Sequence, residues 1–117
     1  MNKKTNQLNL AIIGLGYVGL PLALEFAKKR NVIAFDIKKK RIKELNILFD
    51  KNLEATKKEI QKTKKISFTN EEKDLNGANC FIVTVPTPIK INKKPNLKPL
   101  LSASRMLGKY IKKGDII

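Results

Sequence analysis

Few residues in this chain combine type and spacing in a way that suggests chemistry, and three glycines come first. Gly14, Gly16 and Gly19 stand in G-x-G-x-x-G spacing inside "LNLAIIGLGYVGLPLALEF", residues Leu8 to Phe26. Glycine weakens strands and helices by about 0.5–1 kcal/mol relative to alanine, so such a cluster indicates a backbone that bends tightly and is approached closely. Between a strand and a helix, the first glycine permits the turn and the second admits a pyrophosphate to the backbone. The third lets helix and strand pack together. The N–H groups and positive end of the following helix then face the phosphates.

Asp36 forms the second feature. It lies 17 residues past Gly19 and 22 past Gly14, where an acid at the end of the next strand holds the adenosine ribose hydroxyls. A carboxylate there repels the phosphate of NADP and favours NAD. Lys38, Lys39, Lys40 and Arg41 follow closely and work against that preference. The third feature is "TVPTP", Thr84 to Pro88. A fourth strand of such a sheet ends beside the crevice where strand order reverses and ligands bind. Thr84, Pro86 and Thr87 are therefore candidates, with the Thr87 hydroxyl within reach of a cofactor. Each feature also has a plainer reading: a turn without a nucleotide, an acid that starts a loop, and a rigid proline-bounded strand exit.

Cys80 is not a candidate nucleophile. It begins a buried strand at the end away from the crevice, and the chain has no histidine to activate it. A packed core thiol is expected, with no catalytic residue and no metal site in the chain. One cysteine allows no internal disulfide, which is compatible with a reducing cytoplasm.

The elements that must position these residues follow from periodicity. "LNLAII", Leu8 to Ile13, reads as a buried strand, and the apolar spacing from Tyr17 to Lys29 as a helix packed on a sheet. Pro21 is tolerated in the first turn of that helix, and "KKRN" places bases at its negative end. "VIAFDI", Val32 to Ile37, is a second strand, and Lys38 to about Asn46 a helix with Ile42 and Leu45 on one face. "LEATKKEIQKTKK" reads as a surface helix, "ISF" as a third strand and "NCFIVTVP", Asn79 to Pro86, as the fourth and most buried. A proline-rich loop leads to a last helix from about Leu97 or Pro99 to Lys112, with Asn96 as its cap. "KKGDII" then begins another strand. This alternation predicts an α/β, Rossmann-type doubly wound parallel sheet, truncated after the start of the fifth strand. The stop at "DII" is expected to leave unpaired strand groups at an edge.

Composition limits the alternatives. The chain has 117 residues, one domain's worth, and no apolar run near the roughly 20 residues of a membrane span. Lys3 and Lys4 precede an apolar run, but its glycines and the lack of a small-residue cleavage site argue against a secretory signal. The net charge of +15 invites a nucleic-acid reading. Only Arg30, Arg41 and Arg105 are arginine, however, and no aromatic residues interleave the lysines. A lysine-rich solvated surface accounts for the charge without such a partner.

With these residues placed, "LAIIGLGYVGLPLALEFAKK", "VIAFDIKKKRI", "FIVTVPTPI" and "KKGDII" resemble the N-terminal NAD-binding domain of the UDP-glucose/GDP-mannose dehydrogenase family, most of all its UDP-N-acetylhexosamine members. The resemblance runs from about Leu8 to Ile117. It implies an enzyme that oxidises the C6 hydroxyl of a UDP-sugar to a carboxylate with two NAD, for surface polysaccharide synthesis in the cytoplasm. It implies that Gly14, Gly16, Tyr17 and Val18 form the pyrophosphate loop, that Asp36 binds ribose, that Arg41 helps hold the adenosine end and that Thr87 lies beside the cofactor. The family's central helical region, which usually makes a homodimer, and its C-terminal UDP-sugar-binding domain with the cysteine nucleophile have no counterpart in residues 1–117. Cys80 does not match that cysteine. The chain alone is thus expected to bind NAD weakly and to catalyse nothing, and no dimer is predicted for it. Two other readings stand beside this one: the NAD domain of a hydroxyacyl-CoA or hydroxyacid dehydrogenase, and a basic nucleic-acid-binding module.

Overall fold

The computed structural model describes residues 8–47 and 65–117. Its elements run β1 (Leu10–Ile13), α1 (Gly19–Ala27), β2 (Val32–Phe35), α2 (Lys39–Asn46), β3 (Ile66–Thr69), a 3-10 helix (Glu72–Gly77), β4 (Cys80–Val83) and α3 (Lys98–Leu107). The four strands form one parallel sheet in the order β3-β2-β1-β4. Strand order therefore reverses between β1 and β4.

Alternation along β1 feeds two cores. Leu10 and Ile12 pack with Leu20, Ala23, Leu24 and Ala27 of α1 and with Ile42 and Leu45 of α2. Ala11 and Ile13 point to the opposite face, against Phe35, Leu75, Phe81, Ala103 and Leu107. Helices α1 and α2 thus cover one face, and the 3-10 helix and α3 the other, as a doubly wound sheet requires. A strand buried on both faces reads as a continuous apolar run rather than an alternating one. That is why "LAII" shows no period-two pattern.

Several boundaries differ from the sequence reading. β1 is fully buried while only Phe81 of β4 is, so the central strand and not the fourth is the most buried. β4 ends at Val83 rather than Pro86. The Thr84 N–H still reaches the Ile13 C=O at 2.8 Å, but beyond it β1 has turned away at Gly14 and offers nothing to pair with. The first helix starts at Gly19 and ends at Ala27, which leaves Lys28–Arg30 beyond its last turn. The last helix ends at Leu107, whose C=O then accepts both the Tyr110 and Ile111 N–H groups in a closing turn. Asn96 does serve the start of that helix, its Oδ1 accepting the Lys98 N–H at 3.1 Å. The 3-10 helix lies where the sequence suggested none. The surface helix expected in residues 53–65 falls, apart from Lys65, outside the described residues.

Beyond α3, Ile116 lies parallel to Cys80. Its N–H donates to the Asn79 C=O at 3.0 Å and its C=O accepts from the Phe81 N–H at 2.8 Å. The apolar "DII" thus begins a fifth strand position beside β4, paired to it at Ile116.

Candidate functional site

Sheet register assembles the site. Phe35, Ile13 and Val83 are aligned neighbours across β2, β1 and β4, so the next residue of each strand, Asp36, Gly14 and Thr84, falls in one row at the carboxyl edge. The Gly14 N–H donates to the Phe35 C=O at 2.8 Å, which holds the turn against β2 as the chain leaves β1.

The three glycines have three different surroundings. Gly14 has φ +103°, a conformation that L side chains rarely adopt, and a Cβ there would sit 2.9 Å from the Thr84 C=O oxygen. At Gly19 a Cβ would lie 1.7 Å from the Gly14 C=O oxygen and 2.5 Å from the Thr84 hydroxyl, so helix and sheet meet there without room for a methyl group. A Cβ on Gly16 would meet nothing within 4 Å. The middle glycine is thus the one whose openness nothing inside the fold requires.

Asp36 is held on both oxygens: Oδ2 accepts the Leu15 N–H and Oδ1 the Lys38 N–H, each at 2.9 Å. Each oxygen keeps a further lone pair for a hydroxyl donor. Arg41, in the first turn of α2, donates from Nε to the Leu15 C=O at 2.8 Å. The Thr84 hydroxyl turns inward, 2.7 Å from the Gly14 C=O oxygen and 3.2 Å from that of Ile13. Tyr17 and Val18 are exposed at the start of α1, and Pro86 and Thr87 are exposed on the loop that leaves β4. All four lie at the carboxyl end of the sheet.

The structure thus brings Gly14, Gly19, Asp36, Arg41 and Thr84 together around Leu15, with Gly16 open beside them, and leaves Tyr17, Val18, Pro86 and Thr87 on the surrounding rim. Sequence reasoning missed Leu15, whose backbone both Asp36 and Arg41 grip. Its only sequence signal is an apolar residue between two glycines. Cys80 starts β4 at the opposite end of the sheet. Burial pushes its thiol above the ordinary value and so disfavours the thiolate a nucleophile needs. Among the described residues no three His, Cys, Asp or Glu side chains gather as metal ligands would, and no helix is long and apolar enough to cross a membrane.

A glycine turn, an open Gly16 and a fixed acid at the switch point of a parallel sheet define a dinucleotide-binding domain of Rossmann type. The observations fit NAD: phosphate has open access to the backbone at Gly16, and a carboxylate stands where a ribose needs one. Residues 8–117 match the model of the UDP-glucose/GDP-mannose dehydrogenase family, NAD binding domain, and the chain belongs to that family. It is 53% identical over 110 residues to a UDP-N-acetyl-D-glucosamine 6-dehydrogenase of Pseudomonas aeruginosa, covering 94% of this chain and 26% of that protein. To the protein of the same name in Salmonella typhi it is 48% identical over 112 residues, 96% of this chain and 26% of the relative. Among solved structures, the UDP-D-ManNAc dehydrogenase of Pyrococcus horikoshii superimposes with a TM-score of 0.78 at 32% identity, over 92% of this chain and 27% of that one. The chain therefore spans about a quarter of the length of these relatives. Family membership decides between the two dehydrogenase readings in favour of the nucleotide-sugar one.

Proposed function

We propose that residues 1–117 are the NAD-binding domain of a longer enzyme that oxidises the C6 hydroxyl of a UDP-N-acetylhexosamine to a carboxylate. The observation that carries the reading is the open Gly16 backbone beside an Asp36 carboxylate fixed on both oxygens. The family supplies the cofactor, and the names of the relatives supply the sugar class.

In this reading the backbone from Gly14 to Val18, at the positive end of α1, holds the pyrophosphate. Asp36 accepts hydrogen bonds from the adenosine ribose, and Arg41 serves the adenosine end. Thr84 and Pro86 shape the strand exit that brings Thr87 to the crevice. Gly19 keeps α1 close enough for its terminus to reach the phosphates. When bound, NAD takes up a hydride from the substrate carbon. No residue of this chain is assigned to catalysis. The substrate site and the dimer contact belong to the rest of the enzyme, which works in the cytoplasm without a membrane or nucleic-acid partner.

Calorimetric titration of this chain with NAD, alongside NADP and Asp36→Ala, tests the reading. The expected result is that NAD binds, NADP binds less well, and the variant loses the difference. A folded chain that gives no heat with NAD at millimolar concentration would overturn it. The chain is further expected to produce no NADH from a UDP-N-acetylhexosamine under conditions where it binds NAD.

A further inference from the structure

Leu15 is 1% exposed and belongs to neither β1 nor α1. Its peptide groups therefore sit in a buried place without strand or helix partners, where leaving one unmatched is costly. Both are matched by side chains, one from the segment joining β2 to α2 and one from the first turn of α2. The N–H goes to Asp36 Oδ2 at 2.9 Å and the C=O to Arg41 Nε at 2.8 Å.

The second bond has a directional consequence. The peptide linking Leu15 to Gly16 is planar and trans, so its C=O and N–H point in opposite directions. A guanidinium that fixes the Leu15 C=O therefore fixes the Gly16 N–H as well, and aims it away from Arg41. Gly16 is also the residue with open space where its Cβ would stand. The donor at the most accessible point of the loop is thus oriented by a side chain 25 residues later in the sequence.

We propose that Arg41 is a positioning residue for the glycine loop: its Nε–H sets the Leu15–Gly16 peptide before the cofactor arrives. This deepens the cofactor reading and, in its binding arm, rests on it. The bond made by Nε is distinct from a contact made by the charge. Arg41→Gln places an amide nitrogen on Cδ, where arginine carries Nε, and so keeps the donor while removing the charge. Arg41→Lys keeps the charge and moves the nitrogen one bond further out. Arg41→Met removes both.

Two measurements on these variants, each first checked for a wild-type circular dichroism spectrum, decide the matter. The first is amide hydrogen exchange at Leu15 and Gly16 in the cofactor-free chain; the second is NAD affinity by calorimetry. The expected order puts Gln close to wild type in exchange and between wild type and Met in NAD affinity, since it keeps the loop bond and loses the charge that serves the adenosine end. Lys and Met should exchange faster at Leu15 and bind NAD more weakly, each by about tenfold, as the loss of one charge-assisted bond implies. The proposal is overturned if Lys preserves NAD affinity while Gln falls to the level of Met, since charge and not the Nε donor would then matter. It is equally overturned if exchange at Leu15 is unchanged in Met, or if Gln alone unfolds. A wild-type chain that binds no NAD would end the cofactor reading, while the exchange order would still decide whether Arg41 holds the loop.

Discussion

Gly16 and Gly19 are the same residue type three positions apart, and the space around each assigns it a different task. A methyl group on Gly19 would overlap the Gly14 C=O at 1.7 Å, and that oxygen is backbone, which cannot swing aside. Gly19→Ala should therefore force α1 away from the sheet and cost about 3 kcal/mol or more, at the upper end of overpacking penalties. Gly16→Ala meets nothing within 4 Å, so its stability should stay within about 0.5 kcal/mol of wild type. Its methyl group would instead occupy the space a pyrophosphate needs, and NAD affinity should fall. Urea denaturation and NAD calorimetry on the two variants give the check. Equal destabilisation of both would mean that Gly16 serves the turn and not a ligand.

At the scale of elements, Thr84 shows how the sheet edge supports the loop. Its hydroxyl lies 2.7 Å from the Gly14 C=O oxygen, so β4 props the turn that leaves β1. Thr84→Val keeps the shape and removes that bond. It should cost about 1 kcal/mol of stability by thermal denaturation, the worth of a typical neutral hydrogen bond. Unchanged stability would mean that the turn holds itself. The bond also marks what sequence could and could not disclose. Four strands, three helices and the candidate residues Gly14, Gly16, Gly19 and Asp36 were legible because each carries a local signal: apolar runs, amphipathic spacing and a fixed interval to an acid. Strand ends were not, since β4 stops where its neighbour turns, a fact about β1 and not about "VTVP". The 3-10 helix was missed because, of its six residues, only Leu75 is buried, too little for a period to show. The grip of Asp36 and Arg41 on Leu15 was equally hidden. Those bonds span 21 and 26 residues and exist only once register aligns β2 with β1.

Over the whole molecule, the charge of +15 acts on any anion, and the cofactor is one. NADP carries one more phosphate than NAD, so the distant field attracts it more strongly. In the proposed site Asp36 would oppose that phosphate at short range, while the exposed Lys38, Lys39 and Lys40 beside it would draw the phosphate in. These effects respond differently to salt. The Debye length shrinks from about 30 Å at 0.01 M to about 8 Å at 0.15 M, which removes the distant attraction and leaves a contact of a few ångströms nearly intact. The preference for NAD over NADP should therefore widen as salt rises from about 0.01 to 0.15 M, even though both cofactors bind more weakly. In Asp36→Ala the lysines act unopposed, so the preference should vanish at physiological salt and turn toward NADP at low salt. Competition calorimetry at the two salt concentrations reads both effects. A wild-type preference that narrows with salt would mean that repulsion by Asp36 is itself long-ranged and screened, and discrimination would then lie in the field of the surface rather than in one carboxylate.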